Sequence, residues 1–507
     1  MRTSGNVRET VTATARTDVA DILAKSQLPN ELTAFVDGDF VAPSQGGALL
    51  DVDDPATGVV VAKVVESSPD QVAEAVRSAH EAQRAWLRLD PAERGRRLQA
   101  VAAAIRADAD LLAHLETIDS GKPLSQSRAD IAGSARYFEY YGGLTDKIQG
   151  DTLPQPAGTF SYTLREPLGV IAHITPWNAP LTQLARGVAP SLAAGNSVVA
   201  KPSELTPLTS IYTARLMVAA GLPAGLCNVV LGRGAPTGSE LIEHELVRHI
   251  TFTGSVATGR SVGAVAARRI IGVNLELGGK SPTIVCADAD LEAAGRAGAL
   301  AVVRNSGQSC FATTRLLVDR RVRDELVQLL SVRMGGLSVG HGLDEPDVGP
   351  LISGRQFDRV MGYLDSARTS GAELVTGGER AEVAGGVAGH YVTPTLLQGV
   401  RNDMPVAREE IFGPVQSVLD FDDLDEAIAI ANDTEYGLSA GVFTRDVATA
   451  HRVAAQLQAG QIQVNRYTGA GVEVPFGGYK NSGLGREKGL DALHHYTQVK
   501  AVIMDIA

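Results

Sequence analysis

A chain of 507 residues exceeds what one hydrophobic core supports and predicts two or three domains. Its 44% hydrophobic and 21% charged residues fit a globular enzyme, and a net charge of −12 argues against nucleic acid as a partner, because phosphate binding needs a basic surface. No apolar run reaches the length of a membrane span, and three cysteines without a CxxC imply no disulfide framework.

Residues 1–30 mix Arg2, Arg8 and Arg16 with Glu9, Asp18 and Asp21 and contain no apolar segment. They read as an N-terminal extension without a secretory signal, which points to a cytoplasmic location and no membrane partner. The segment 68–119 reads as mostly helical, with Asp70 near one helix start and Pro91 at another. Residues 149–166, GDTLPQPAGTFSYTLREP, read as an extended excursion. From residue 168, short β-branched runs alternate with Ala-rich helical patterns. The runs are GVIAHI (169–174), NSVVA (196–200), CNVVL (227–231), HITFTG (249–254) and NLEL (274–277), separated by PLTQLARGVAPSL, PLTSIYTARLMVAA, GSELIEHEL and ATGRSVGAVAARR. Repeated βαβ units predict a parallel sheet covered on both faces.

A second α/β series opens at SPTIV (281–285). A helix from about Asp290 to Arg304 follows, stopped by Asn305-Ser306-Gly307. Further strands are expected at TRLLVD (314–319), GPVQSVLDF (413–421), SAGVFT (439–444), GQIQVN (460–465) and the tail VKAVIMDI (499–506). Two sheet domains therefore meet near residue 280.

Open parallel sheets bind ligands outside the carboxyl ends of their strands. Asn178 follows GVIAHI, Lys201 and Glu204 follow NSVVA, Ser255 follows HITFTG, and Glu276 ends VNLE. Helix capping explains any one of these residues well and the set poorly. GSVATG, Gly254 to Gly259, joins a strand to a helix, where backbone N–H groups suit a phosphate, although its spacing is not GxGxxG. LGGKS (277–281) lacks the first Walker glycine, and HELVRH spaces its histidines by five rather than four, so neither a phosphate loop nor a zinc site is expected and no metal is assigned. Cys227 and Cys286 lie in apolar strand-like runs and read as packing. Cys310, in NSGQSCFATTR, has small and polar neighbours; the residues alone leave packing, metal ligation and nucleophilic chemistry open.

TPWNAP, KPSELTP, FTGSVATG, LELGGKSP, NSGQSC, EEIFGPV (409–415), YGLSAGVFT and PFGGYKNSGLGRE (475–487) occur in that order. Together they resemble the NAD(P)-dependent aldehyde dehydrogenase superfamily, from about residue 34 nearly to the end. The resemblance implies an α/β fold with a Rossmann-like cofactor domain (31–148 and 167–279), a second α/β catalytic domain (280–481) and a small β oligomerisation arm (149–166 and 490–507). It also implies a homodimer or homotetramer. Cys310 is then the nucleophile, Asn178 an oxyanion donor and Glu276 the base that activates water; the presence of this glutamate favours hydrolysis over acyl transfer to coenzyme A. For NAD, Lys201 and Glu204 are expected at the adenosine ribose, Ser255 at the pyrophosphate, Glu410 at the nicotinamide ribose and Phe412 by the ring, with Trp177 lining the site. Thr175, Gly254, Gly259 and Leu277 complete the expected cofactor contacts. An acidic Glu204 favours NAD over NADP, which remains the alternative.

Two departures bear on the substrate. Ala179 stands where many members have a bulky aromatic, and Arg186 and Arg304 occupy positions that line the aldehyde tunnel in relatives. Unpaired arginines there would call for an anion; the other reading is that they pair with Asp or Glu of this chain. The expected small-molecule substrate is an aldehyde with a remote carboxylate. Aromatic or aliphatic aldehydes, and a catalytically silent binding member of the fold, are the alternatives.

Overall fold

A computed structural model describes residues 19–383 and 388–506. The first 18 residues of the expected N-terminal extension lie outside the described residues, and Val19–Ser26 is a helix. No helix among the described residues is long and apolar enough to cross a membrane.

Five parallel strands form the heart of the first sheet, in the order Gly272–Glu276, Val247–Thr253, Val170–Ile174, Ser197–Lys201, Cys227–Val229. The strands Val170–Ile174 and Ser197–Lys201 are buried along their whole length, as expected of a sheet covered on both faces. Antiparallel additions flank it: Gly483–Leu484 beside Gly272–Glu276, and Phe35–Val36 with Asp39–Phe40 at the far edge. Helices cover both faces because their apolar positions recur at helical spacing. In Pro69–Leu87, for example, Val72, Ala75, Val76, Ala79, Gln83 and Trp86 are buried. That helix starts on a capping box, with the Ser68 side chain accepting from Gln71 N–H and the Gln71 side chain accepting from Ser68 N–H. Asp70 lies in its first turn, and Pro91 opens the helix Pro91–Ala107.

The second sheet has seven strands, in the order Glu373–Thr376, Thr395–Gln398, Val415–Phe421, Arg315–Asp319, Pro282–Val285, Ser439–Phe443, Gln461–Val464. All pairs are parallel except the first. The excursion expected over 149–166 carries the strands Thr152–Leu153 and Thr159–Pro167, and the long one pairs antiparallel with the tail strand Thr497–Asp505.

Among the features outside the sequence reading, three have a clear physical reason. A small sheet of Glu31–Leu32, Leu49–Asp54 and Val59–Val65 packs by the N-terminal helices; LLDVDD carries three aspartates, which are depleted in strands and hide its pattern. The strands Glu373–Thr376 and Thr395–Gln398 are only four residues each, too short for a period to show. Gly483–Leu484 returns to the first sheet after the chain has built the second.

Candidate active site

Parallel strands bring their carboxyl ends to one edge, and the loops after Ile174, Lys201, Thr253 and Glu276 wall a cavity of about 630 Å³ there. The second sheet supplies the opposite wall, through Cys310, Glu410 and Phe412. A second cavity of about 420 Å³ adjoins it, and Asn178 and Cys310 line both.

Cys310 is carried by an unusual backbone. The helix Leu291–Val303, capped at its start by the Asp290 carboxylate, ends as expected before Asn305-Ser306-Gly307. All three of those residues are left-handed, with φ of 49°, 55° and 72°. That conformation costs an ordinary residue energy and persists only where its surroundings hold it. Here the Asn305 side chain donates to the Asn178 carbonyl (2.7 Å), Ser306 donates to Gly349 O (2.7 Å), and Gly307 packs so close to the Gly413 carbonyl that a Cβ would collide with it. The Asn178 amide donates to Gln308 O at 3.0 Å, which fixes it beside Cys310 and leaves its second N–H. Burial pushes the Cys310 thiol up to about 12; Arg186 opposes this, and Glu410 and Glu276 add to it.

Glu276 ends its strand, almost fully buried, with both carboxylate oxygens free of hydrogen-bond partners among the described residues. Burial and the neighbouring Glu487 hold its carboxyl well above the usual range, against the pull of Arg186 and Arg486. A carboxyl with that environment, facing the same cavity as Cys310, suits proton transfer as a stronger base than an ordinary carboxylate.

The rest of the larger cavity fits a dinucleotide. Ser255 caps the helix Val256–Arg269, accepting from Thr258 N–H (3.3 Å), so the remaining N–H groups of the first turn can meet a phosphate. Glu204 lines the cavity and pairs with buried Lys201 at 3.5 Å. Glu410 accepts from Gly279 N–H at 3.1 Å, and a Cβ at Gly278 would strike its carboxylate; burial raises its carboxyl to about 7. Trp177 and Phe412 meet edge-to-face with centroids 5.3 Å apart, both on the cavity wall, and Phe412 has φ of 62°. Gly254 and Leu277 also line it. Thr175, Lys201 and Gly259 stand behind the wall: Thr175 N–H donates to Lys201 O, and bare Gly259 makes room for the Leu277 side chain. Arg355, Gln356 and Arg359 of the helix Gly354–Thr369 face the cavity and were missed, because arginines four apart on a helix carry no signal that sets them apart from a solvated face.

The smaller cavity bears on the two readings of the arginines. Ala179, Arg186 and Arg304 do line it. Arg186, however, is not an unpaired cation: it forms a buried ion pair with Glu487, donates to Thr253 Oγ1 (3.3 Å) and lies over the Phe476 ring at 5.1 Å. Burial disfavours its charge, and Glu487 and Glu276 hold it protonated. Arg304 meets Asp130 at 3.4 Å, but Asp130 is already bound by Lys122 at 2.8 Å. Arg304 therefore shares a carboxylate rather than owning one.

A sequence profile described as the aldehyde dehydrogenase family matches residues 40–502. The chain belongs to the aldehyde dehydrogenase family. Among relatives of this family, two betaine aldehyde dehydrogenases are similar to it: that of Sinorhizobium fredii is 44% identical over 92% of this chain and 96% of its own, and that of Cereibacter sphaeroides 46% identical over the same shares. A Bacillus cereus aldehyde dehydrogenase solved with NAD+ superposes with a TM-score of 0.93 at 39% identity, covering 96% of this chain and 98% of that one. An indole-3-acetaldehyde dehydrogenase solved with NAD+ superposes with a TM-score of 0.92 at 41% identity, covering 96% and 99%. The α/β architecture described above is thus that of the aldehyde dehydrogenases.

Proposed function

We propose that this NAD-dependent aldehyde dehydrogenase oxidises an aldehyde bearing a remote anionic group to the carboxylic acid, by hydrolysis of a thioester on Cys310. The observation that carries the reading is the position of Cys310 and Asn178 on the shared boundary of two cavities. The larger takes the cofactor and the smaller the aldehyde. When bound, NAD supplies the hydride acceptor. Glu204, Ser255, Glu410, Trp177 and Phe412 hold it in this reading, with Lys201 setting Glu204; NADP is the less favoured alternative.

The chain's own residues then do the following. Cys310 loses its proton, which the high thiol pKa requires a neighbouring base to take, and attacks the carbonyl to give a thiohemiacetal. The second amide proton of Asn178 and the Cys310 N–H donate to the oxyanion; donors of this type contribute about 2.7–4 kcal/mol each. Loss of hydride leaves the thioester. Glu276, unpartnered and with a raised pKa, takes the proton of the attacking water and frees the acid.

The lining of the smaller cavity supports the anionic tail. Among the described residues, Arg136, Arg304 and Lys488 line it against one carboxylate, Asp130, while Arg186, also on the wall, is paired with Glu487. Betaine aldehyde, the substrate in the name of two relatives, carries a quaternary ammonium, which such a wall repels. Tyr137, Phe311 and Phe476 also line the cavity and favour an aromatic aldehyde as the second reading, in keeping with the name of the indole-3-acetaldehyde relative. The reading includes a homo-oligomer built through the arm sheet and a cytoplasmic location.

The test is NADH formation with succinic semialdehyde, benzaldehyde, butanal and betaine aldehyde, with Cys310→Ala as control. The acid-tailed aldehyde should have the highest kcat/KM and the variant should have no turnover. Turnover in Cys310→Ala would remove the mechanism, and a preference for betaine aldehyde would remove the anionic tail.

A further inference from the structure

Lys488 was singled out by nothing in its sequence context, GREKG, and neither the cofactor site nor the chemistry above uses it. Three observations set it apart. Its backbone is left-handed, φ 64°, a conformation that a lysine rarely adopts and that here is followed by Gly489 at 59°. Its residue is 6% exposed, yet it lines the smaller cavity. Among the described residues its ammonium has one acceptor, the Ala470 carbonyl at 2.7 Å, for its three protons.

The charge around it does not balance. The ring of Phe476 has two cations near it, Arg186 at 5.1 Å and Lys488 at 5.8 Å. Glu487, the buried carboxylate that acts on Lys488, is committed to Arg186. Glu473 acts on Lys488 from an exposed position, and among the described residues no carboxylate lies within ion-pair distance of the ammonium. Burial first, then Arg186, lowers the lysine to about 8, while Glu473 and Glu487 raise it, so it is still mainly charged at neutral pH. A buried cation without a counter-ion is costly, and an anion in the cavity supplies the missing partner.

We infer that Lys488 is a specificity-determining residue, whose ammonium binds the remote carboxylate of the aldehyde while the left-handed backbone at Lys488-Gly489 holds that side chain in the cavity wall. The inference rests on the anionic-tail reading above and names the group that carries it. Arg186 is withdrawn from that duty by Glu487, and Arg304 shares it through Asp130. The competing role for Lys488 is structural: through Ala470, and with Gly489 N–H donating to Val472 O at 2.7 Å, it would only tether the loop 468–472 that covers the cavity.

The two roles separate in a selectivity ratio. kcat/KM is measured for succinic semialdehyde and for its methyl ester, which has the same length and no charge, in wild type, Lys488→Met and Lys488→Arg. Wild type should prefer the acid. Lys488→Met should cut the acid-to-ester ratio by about 10–100-fold, the value of a hydrogen bond to a charged group, mainly through KM for the acid. Lys488→Arg, which keeps the charge, should restore most of the ratio. An equal fall for acid and ester in Lys488→Met means a loop tether and overturns the assignment. A wild-type preference for the acid that survives in Lys488→Met leaves the anionic-tail reading standing and removes Lys488 from it. A wild type without acid preference removes both. NAD binding by Lys488→Met, followed by fluorescence quenching, should match wild type; its loss means that the variant is misfolded, and the ratio in Lys488→Arg then decides, a collapsed ratio there overturning the assignment.

Discussion

Glu276 and Cys310 face one cavity with opposite needs. The thiol must lose a proton although burial holds it at about 12, and the carboxyl must be ionised before it can accept one although burial favours its neutral form. Each therefore depends on the other and on pH. Because the Glu276 carboxyl lies above its ordinary value, its basic form grows as pH rises through that raised value; deacylation should climb with pH over that window and level off above it. Glu276→Gln removes the base and should flatten that limb. It should also turn the progress curve into a burst of NADH followed by a rate about 100-fold or more below wild type, with acylated Cys310 visible by intact mass. A steady-state rate and pH profile like those of wild type would assign the base elsewhere.

At the scale of the element, the site is carried by strand ends and by one left-handed turn. The strand ends were legible because βαβ alternation is a local pattern, and each ends in a polar residue beside Gly or Pro: Asn178, Lys201, Ser255 and Glu276 all fall at one edge of one sheet. What stayed hidden was long-range pairing. Whether Arg186 faced a ligand or a carboxylate depended on Glu487, near the far end of the chain, and no periodicity links them. The same holds for Arg355 and Arg359, which are ordinary helix arginines until the fold lays them against the cavity. The turn was legible as a helix stop, but not as three successive left-handed residues locked by Asn178, Gly349 and Gly413. It makes a direct prediction. Gly307→Ala puts a Cβ into the Gly413 carbonyl and an L side chain at φ 72°, which should cost about 1–3 kcal/mol of stability. It should also lower kcat more than it weakens NAD binding, because the displaced loop carries Cys310 and not the helix start at Ser255. Urea unfolding and NAD titration of the same variant check both parts, and an unchanged kcat would show that the loop does not position the nucleophile.

At the scale of the molecule, one surface does not look like the rest of a single chain. The arm is a three-stranded antiparallel sheet whose nine-residue tail strand has, among the described residues, no neighbour on its outer side. Val499 and Ile503 on that strand are 59% and 72% exposed, and Phe160 and Leu164 on the neighbouring strand are 38% and 41% exposed. A long unpaired edge with exposed apolar side chains invites pairing with another chain, and natural proteins seldom leave one uncovered. A second copy of the same chain is the partner that the proposed homo-oligomer supplies, extending the sheet by main-chain hydrogen bonds and covering these residues. Val499→Lys with Ile503→Lys tests this without touching the protomer's core. Both positions are exposed in the single chain, so its folding stability should change by no more than about 0.5 kcal/mol at each. In an oligomer the same lysines would be buried among apolar side chains on every copy, and unpaired buried charge is strongly disfavoured. Light scattering should therefore show wild type as a dimer or larger and the double variant as a smaller species, dissociating further as the sample is diluted. The circular dichroism of the smaller species should match wild type. A double variant with the wild-type mass at all concentrations would mean that the arm lies outside the subunit contact, and a monomeric wild type would mean that the arm sheet has no partner copy at all.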